Sequence, residues 1–365
     1  MNNKLSRIIV ILLAFMMLFE LSACGKEELT YSTGGLEEVS FEESMDEQPD
    51  RAVVRGTDPI YQSVTDRLDG TLLTSDFYMY RDTLSEDYKK AYDLLRAGIL
   101  KCEEVINMTV PVKKEDARTL FQAVLYDSPE LFWADCKFRY AINNYGDVTK
   151  FLPTYNELAK DLEGNRKKIE EAIAQPLADM WSLDSEIAKV KYAHDYLTNQ
   201  LSYDLNAPNN QNIYSSFVGK KTVCSGYTRA FQYMMQKMGI PCSYIVGTAG
   251  EKHAWNIVKI NGEFYSMDVT WDDPINGREG KYYYSYFNIT DTEIAKDHTR
   301  DAFSALLPVC SGTAMNYKNA FGGNANGTNF ASIHGELPEG YGAGGGFLGA
   351  PETTPDTTGN PYIAN

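Results

Sequence analysis

The chain has little positive charge, no long hydrophobic run and none of the short motifs that hold phosphates or metals. Its 34 lysines and arginines stand against 50 acids, a formal net charge of −16. Nucleic-acid phosphates would be repelled, so no nucleic-acid partner is expected. There is no phosphate-binding glycine loop, no Cys-x-x-Cys pair and no His-Glu-x-x-His motif. Neither a cofactor nor a bound metal is therefore expected. The most apolar run, Ile8 to Phe19, is too short to span a bilayer. What remains is 365 residues, enough for one or two domains with a substantial core.

The apolar run has the length and flanks of a signal peptide, with Lys4 and Arg7 ahead of it. It ends Leu21-Ser22-Ala23-Cys24-Gly25, which resembles a bacterial lipoprotein signal over 1–23 cleaved before Cys24. The resemblance implies a lipid on Cys24 and a mature chain anchored to the cell membrane on its extracytoplasmic face. The alternative is an ordinary secretory signal in which Cys24 has no role. Residues 24–58 are rich in Glu, Asp, Ser and Gly and hold almost no aliphatic run. They cannot bury enough apolar area to offset their ordering entropy and read as a flexible stalk. Gly, Asn, Thr and Pro dominate 312–365, where a low-complexity disordered tail is expected.

Between stalk and tail the composition is globular. Leu84 to Asn107 carries a helical pattern, and Ala117 to Tyr126 a second one stopped by Ser128-Pro129. Leu131-Phe132-Trp133 and then Phe138, Tyr140 and Ile142 alternate as strands do. No catalytic constellation appears over 59–178, which reads as an α+β helper region that supports the rest or shapes its substrate.

Chemistry concentrates between Val223 and Pro274. Tyr227, Ala230, Phe231, Met234, Met235 and Met238 recur at helical spacing, with Gly239 and Pro241 as the stop. Cys224 therefore falls at or just before a helix N-terminus, where unpaired N–H groups and the dipole favour a thiolate. Gly226 is expected to leave room for a substrate backbone. The bland alternative is that Cys224 is a small buried hydrophobe. Downstream, Asn261-Gly262 between two apolar runs is a two-residue hairpin signal. If Ile260 pairs with Glu263, Trp255 lies opposite Asp268 and His253 opposite Thr270. His253 and Asp268 then share a sheet face as diagonal neighbours, about 7–8 Å apart at the backbone. A carboxylate there can fix the imidazole and leave its other nitrogen to a thiol, as in a catalytic triad.

Val223-Cys224-Ser225-Gly226-Tyr227, Gly239-Ile240-Pro241, His253-Ala254-Trp255-Asn256 and Met267-Asp268-Val269-Thr270-Trp271-Asp272-Asp273-Pro274 together resemble the transglutaminase-like superfamily. The resemblance spans roughly residues 180–295. It implies an α+β, papain-like core over 179–311, with a Cys-bearing helix packed on an antiparallel sheet that bears His and Asp. It also implies Cys224 as nucleophile, His253 as general base and acid, and Asp268 as the group orienting the imidazole. The superfamily holds transglutaminases, peptidases, amidases and non-enzymes, so it fixes chemistry better than substrate.

Several competitors stay open. His194, on the apolar face of a helix expected over Leu183 to Leu201, is an alternative base or a core histidine. Asp272 and Asp273 are runners-up to Asp268, and with Asp291 they are conceivable calcium ligands or merely a solvated turn. The oxyanion needs a donor besides the Cys224 N–H. Papain-like peptidases carry a glutamine six residues before the cysteine, a position held here by Val218; Gln211, Asn212, Tyr214 or another aromatic would have to substitute. Of six cysteines, five remain if Cys24 is lipidated: Cys102, Cys136, Cys224, Cys242 and Cys310. An odd number leaves a free thiol, with Cys224 preferred and Cys242 its competitor. The expected activity is acyl transfer or hydrolysis of peptide or protein amides through a Cys224 thioester, cell-wall peptide among the substrates. The other reading is a non-catalytic binding or scaffolding lipoprotein that retains the fold.

Overall fold

The computed structural model describes residues 75–273 and 281–322, with short backbone segments at 36–40, 67–68, 71–72 and 326–329. The expected signal, Cys24, most of the expected stalk and nearly all of the expected tail beyond 322 lie outside the described residues, as does Pro274. No described helix is long and apolar enough to cross a membrane.

The first part of the fold is a sheet flanked by helices. Strand β1 (Leu36–Ser40), helix α1 (Glu86–Leu100), strand β2 (Ile106–Lys113), helix α2 (Ala117–Asp127) and strands β3 (Ala134–Ile142) and β4 (Asp147–Tyr155) come in that order. The sheet runs β1-β3-β4-β2. Helix α1 starts where the Ser85 hydroxyl accepts the Tyr88 N–H. It stops earlier than the apolar spacing predicts, because Cys102 is left-handed (φ 56) and a strand follows from Ile106. Leu131 to Trp133 forms a turn rather than a strand. Trp133 is pinned there by its indole N–H on the Ile99 carbonyl at 3.1 Å.

The second part carries the predicted helix and hairpin. Helix α3 (Leu162–Trp181) and helix α4 (Glu186–Gln200) lead to a short parallel pair, β5 (Ser202–Tyr203) and β6 (Lys221–Thr222). Helix α5 (Cys224–Lys237) follows at once, then β7 (Cys242–Ala249), β8 (Glu251–Ile260), β9 (Glu263–Met267) and β10 (Thr299–Arg300). The sheet order is β9-β8-β7-β10, all antiparallel. Ile260 pairs with Glu263 and Asn256 with Met267, the register that the Asn261-Gly262 turn predicts, but the pairing ends there. Asp268 and Thr270 lie in a turn closed by the Asp272 N–H on the Asp268 carbonyl and do not pair with Trp255 and His253. Both turn residues have positive φ (52 and 88), as a type I′ loop needs.

One hydrophobic core extends from Met79 to Tyr317 through both parts. Helix α3 itself runs across residues 178 and 179. The two parts also meet through polar groups. Arg229, Gln232 and Gln236, along one face of α5, donate to the Leu125, Tyr126 and Asp127 carbonyls at 2.7, 2.8 and 3.2 Å. These are carbonyls of the last turn of α2, which have no partner within their own helix. Order also continues past residue 312, where composition places the tail. Helix α6 (Tyr317–Phe321) follows, and the Tyr317 ring stacks on Tyr284 at 3.9 Å. Phe321 against Phe287, the Asn288 amide on the Met315 carbonyl and the Gly312 N–H on the Phe264 carbonyl hold the same stretch.

Candidate active site

Cys224 is the first residue of α5, and Val223 ahead of it gives no side-chain cap. The sheet packs against this helix through β7 and β8. Cys224 and His253 keep only 8% and 6% of their surface exposed, and Asp268 none. His253 Nε2 lies 2.7 Å from Asp268 Oδ2. The thiol of Cys224 is also hydrogen-bonded to His253, which leaves Nδ1 as the ring nitrogen that faces it. The fold thus brings Cys224, His253 and Asp268 into one row.

Electrostatics follow from this row. Burial alone would push His253 down, but Asp268 and the Cys224 sulfur outweigh it and raise its pKa to about 10. Burial would likewise raise Asp268; His253 and His298 overcome that and hold it well below the usual carboxylate range. Asp268 Oδ1 accepts the Thr270 and Trp271 backbone N–H groups at 2.9 and 3.1 Å. Its Oδ2 accepts from His298 Nε2 at 3.0 Å as well as from His253.

Two residues at this site escape a reading of the local sequence. His298 reaches Asp268 because it lies just before β10, whose pairing to β7 is a long-range contact. Its other nitrogen, Nδ1, lies 2.5 Å from Asp297 Oδ1. Tyr203 is the second. Its strand β5 pairs beside β6, so Tyr203 stands opposite Thr222, two residues before the cysteine. The Tyr203 hydroxyl accepts the Cys224 backbone N–H and meets the thiol. Burial and the nearby sulfur push its phenol pKa up. A tyrosine before an Asn-rich loop is the only sequence signal for it. For His298 the signal is slighter still: it is one of four histidines in the chain.

The competitors are engaged elsewhere. His194 is fully buried between two carboxylates, with Nδ1 at 3.0 Å from Asp195 and Nε2 at 3.2 Å from Asp272. Asp195 also pairs with Lys191, which reaches the Tyr284 hydroxyl at 2.9 Å. This network holds the far end of the turn that carries Asp268. Burial raises Asp272 to about 6 against the opposing pull of His194, and raises Asp273 to about 7 although the Tyr227 hydroxyl donates to it at 2.6 Å. Asp291 pairs with Arg300 at 2.7 Å and accepts the Cys310 N–H. The three acids considered for calcium thus face three different partners. Among the described residues one group has ligand atoms close enough for a metal, His253, Asp268 and His298, all within 4.8 Å. Its 2.7 and 3.0 Å contacts are direct N–H···O bonds.

Asn212 spends its amide on the Phe132 carbonyl and on the Tyr214 and Ser215 N–H groups, and Tyr214 stacks on Phe132. Gln211 lines a cavity of about 330 Å³ with Phe132, Asn210 and Arg229. Cys242 is fully buried, and burial drives its thiol well above the usual range. The room expected at Gly226 is not for substrate. A Cβ there would sit 1.7 Å from Thr222 Oγ1 and 3.0 Å from the Asn210 carbonyl. The glycine lets this loop close onto the helix start.

Residues 173–269 match the family model of the transglutaminase-like superfamily, a segment that holds Cys224, His253 and Asp268. This segment combines helices with an antiparallel sheet, the α+β class that the match leads one to expect. Several solved structures are similar to the chain, among them the following three. A candidate cysteine protease from Cytophaga hutchinsonii is 16% identical over 38% of this chain and 42% of its own, with a TM-score of 0.28. A TGase is 14% identical over 47% and 46%, with a TM-score of 0.27. The periplasmic domain of TgpA from Pseudomonas aeruginosa is 15% identical over 37% and 60%, with a TM-score of 0.24. The chain thus spans less than half the length of the first two. None of the curated proteins matches it.

Proposed function

We propose that this chain is a cysteine-dependent acyltransferase or hydrolase acting on peptide or protein amides. A lipid on Cys24 would hold it at the extracytoplasmic face of the cell membrane. The observation that carries the reading is the hydrogen-bonded row Cys224, His253, Asp268 at the start of α5. The superfamily match over 173–269 supports it.

In this mechanism the Cys224 sulfur attacks the amide carbonyl while His253 Nδ1 holds the thiol proton. The developing oxyanion takes hydrogen bonds from the Cys224 N–H and the Tyr203 hydroxyl. An entering carbonyl oxygen displaces the resting bond between those two groups. As the C–N bond breaks, His253 gives its proton to the leaving amine and a thioester remains on Cys224. Water then attacks to release an acid, or a primary amine attacks to give a new amide. Asp268 touches no substrate; it fixes which ring nitrogen faces the sulfur. Cell-wall peptide is one candidate substrate.

The test is product analysis by mass spectrometry after incubation with glutamine-containing peptides and a labelled primary amine, beside Cys224→Ala. Amine incorporation lost in the variant identifies a transglutaminase. Cleavage or deamidation without incorporation, again lost in the variant, identifies a peptidase or amidase. Equal products from both proteins would contradict the proposal.

A further inference from the structure

Asp268 does not serve His253 alone. Its Oδ2 is shared between His253 Nε2 at 2.7 Å and His298 Nε2 at 3.0 Å, while Oδ1 is occupied by two backbone N–H groups. Four donors saturate the lone pairs of a carboxylate. His298 is fully enclosed, with Trp271, Trp255 and Tyr286 rings at 4.6, 5.1 and 5.3 Å. That packing asks only for a flat ring, and phenylalanine would supply one. The nitrogens ask for more: each faces a carboxylate, Asp268 on one side and Asp297 on the other. Asp297 in turn accepts the Tyr286 hydroxyl at 2.8 Å, and its side chain is 38% exposed.

We infer that His298 is a second histidine of the site, a positioning residue that shares Asp268 with His253 and so tempers how tightly the carboxylate holds the imidazolium. This rests on the proposed role of His253 as base and acid. Every hydrogen bond a carboxylate accepts reduces the negative charge it offers to its other partners. An imidazolium gripped by a whole carboxylate is a poor acid, and the second half of acylation needs it to release a proton to the leaving amine. With Oδ2 divided, the same aspartate orients the ring and still lets the proton go. His253 is raised far above an ordinary histidine even with the sharing in place. The other ionisable groups around the pair are Cys224, Tyr203, Glu251, Asp272, Tyr286 and Asp297.

The test is the pH dependence of iodoacetate alkylation at Cys224, read by peptide mapping on the whole chain. Iodoacetate is an anion drawn to an imidazolium, so the rate falls on the alkaline side as His253 loses its proton. His298→Phe keeps a ring among the aromatics and removes the donor. Its alkaline limb is expected about half to one pH unit higher than in the wild type. His298→Gln, which restores an N–H donor, is expected back near the wild-type position, and the half-exposed Asp297→Asn between the two. Amide turnover falls in His298→Phe, while acylation by an activated ester, whose leaving group needs no proton, stays near wild type. An alkaline limb that stays put or moves down in His298→Phe would overturn the inference, as would one equally displaced in Phe and Gln variants. A wild-type profile with no alkaline limb would remove the thiolate–imidazolium pair itself, and this inference with it.

Discussion

Among the side chains around the sulfur, Tyr203 is the least expected. No sequence spacing ties it to Cys224, because a parallel bridge between two-residue strands sets it beside the helix start. It is expected to act on the transition state rather than on binding. Tyr203→Phe should lower kcat about 10²- to 10³-fold with KM little changed, the usual cost of one oxyanion donor. A variant that raised KM and left kcat intact would make Tyr203 a binding residue. The tight turn made the hairpin register legible as far as Asn256–Met267, which brings the end of the second strand beside His253. Asp268 then reaches the ring from the first position of a turn, not from a strand pair opposite Trp255. His298 was not legible, since it reaches Asp268 through β10 from 30 residues away. Its near-twin His194, also next to an aspartate and bonded to a second one, shows why a histidine's chemistry cannot be assigned locally. The two clamp opposite ends of one turn, and only one touches the row of Cys224, His253 and Asp268.

At the scale of elements, α5 does two jobs. Its first residue carries the thiol, and one of its faces satisfies the carbonyls that end α2. That second job was hidden in the sequence, where Arg229, Gln232 and Gln236 read only as polar positions on an amphipathic helix. Gln232 is fully buried and donates to the Tyr126 carbonyl. Gln232→Leu should destabilise the chain by about 1–3 kcal/mol, since it leaves that carbonyl buried without its donor. Chemical denaturation measures this directly, and an unchanged midpoint would show that the contact carries no net stability. Gly226→Ala should be worse than its single methyl suggests. The loop at Thr222 and Asn210 must open to admit the Cβ, taking the cysteine with it. Loss of both stability and alkylation at Cys224 is expected, and a fully active Gly226→Ala would contradict the tight closure.

The whole molecule carries an excess of acid and buries some of it. Burial raises Asp82 and Asp272 to about 6, Asp273 to about 7 and Asp127 to about 8. Carboxylates with raised folded values bind protons more tightly when folded, so ionising them costs stability as pH rises through about 4 to 8. His253, raised to about 10, adds a contribution that is complete below about 6.5 and is lost on the way to 10. Both trends run the same way, and self-repulsion of the net charge of −16 adds to them. The melting temperature is expected to be highest in mildly acidic buffer and to fall steadily toward pH 9. A maximum on the alkaline side would contradict these shifts. At this scale the sequence conveyed the class of fold and the segment in which Cys224, His253 and Asp268 meet. It did not convey the continuity of the core, because the contacts that join the two parts pair positions more than a hundred residues apart. Nor did it show that the ordered chain extends past residue 312, since a single i, i+4 aromatic pair, Tyr317 and Phe321, is too short a pattern to stand out in a polar stretch.

The central claim is a covalent acyl-enzyme on Cys224. The most direct measurement is the intact mass of the acid-quenched chain after brief exposure to an activated peptide ester, followed by mapping of the modified residue. The account predicts one acyl group on Cys224, none on the deeply buried Cys242, and no adduct in Cys224→Ala. An acyl group on another residue, or none on the wild type, would contradict it.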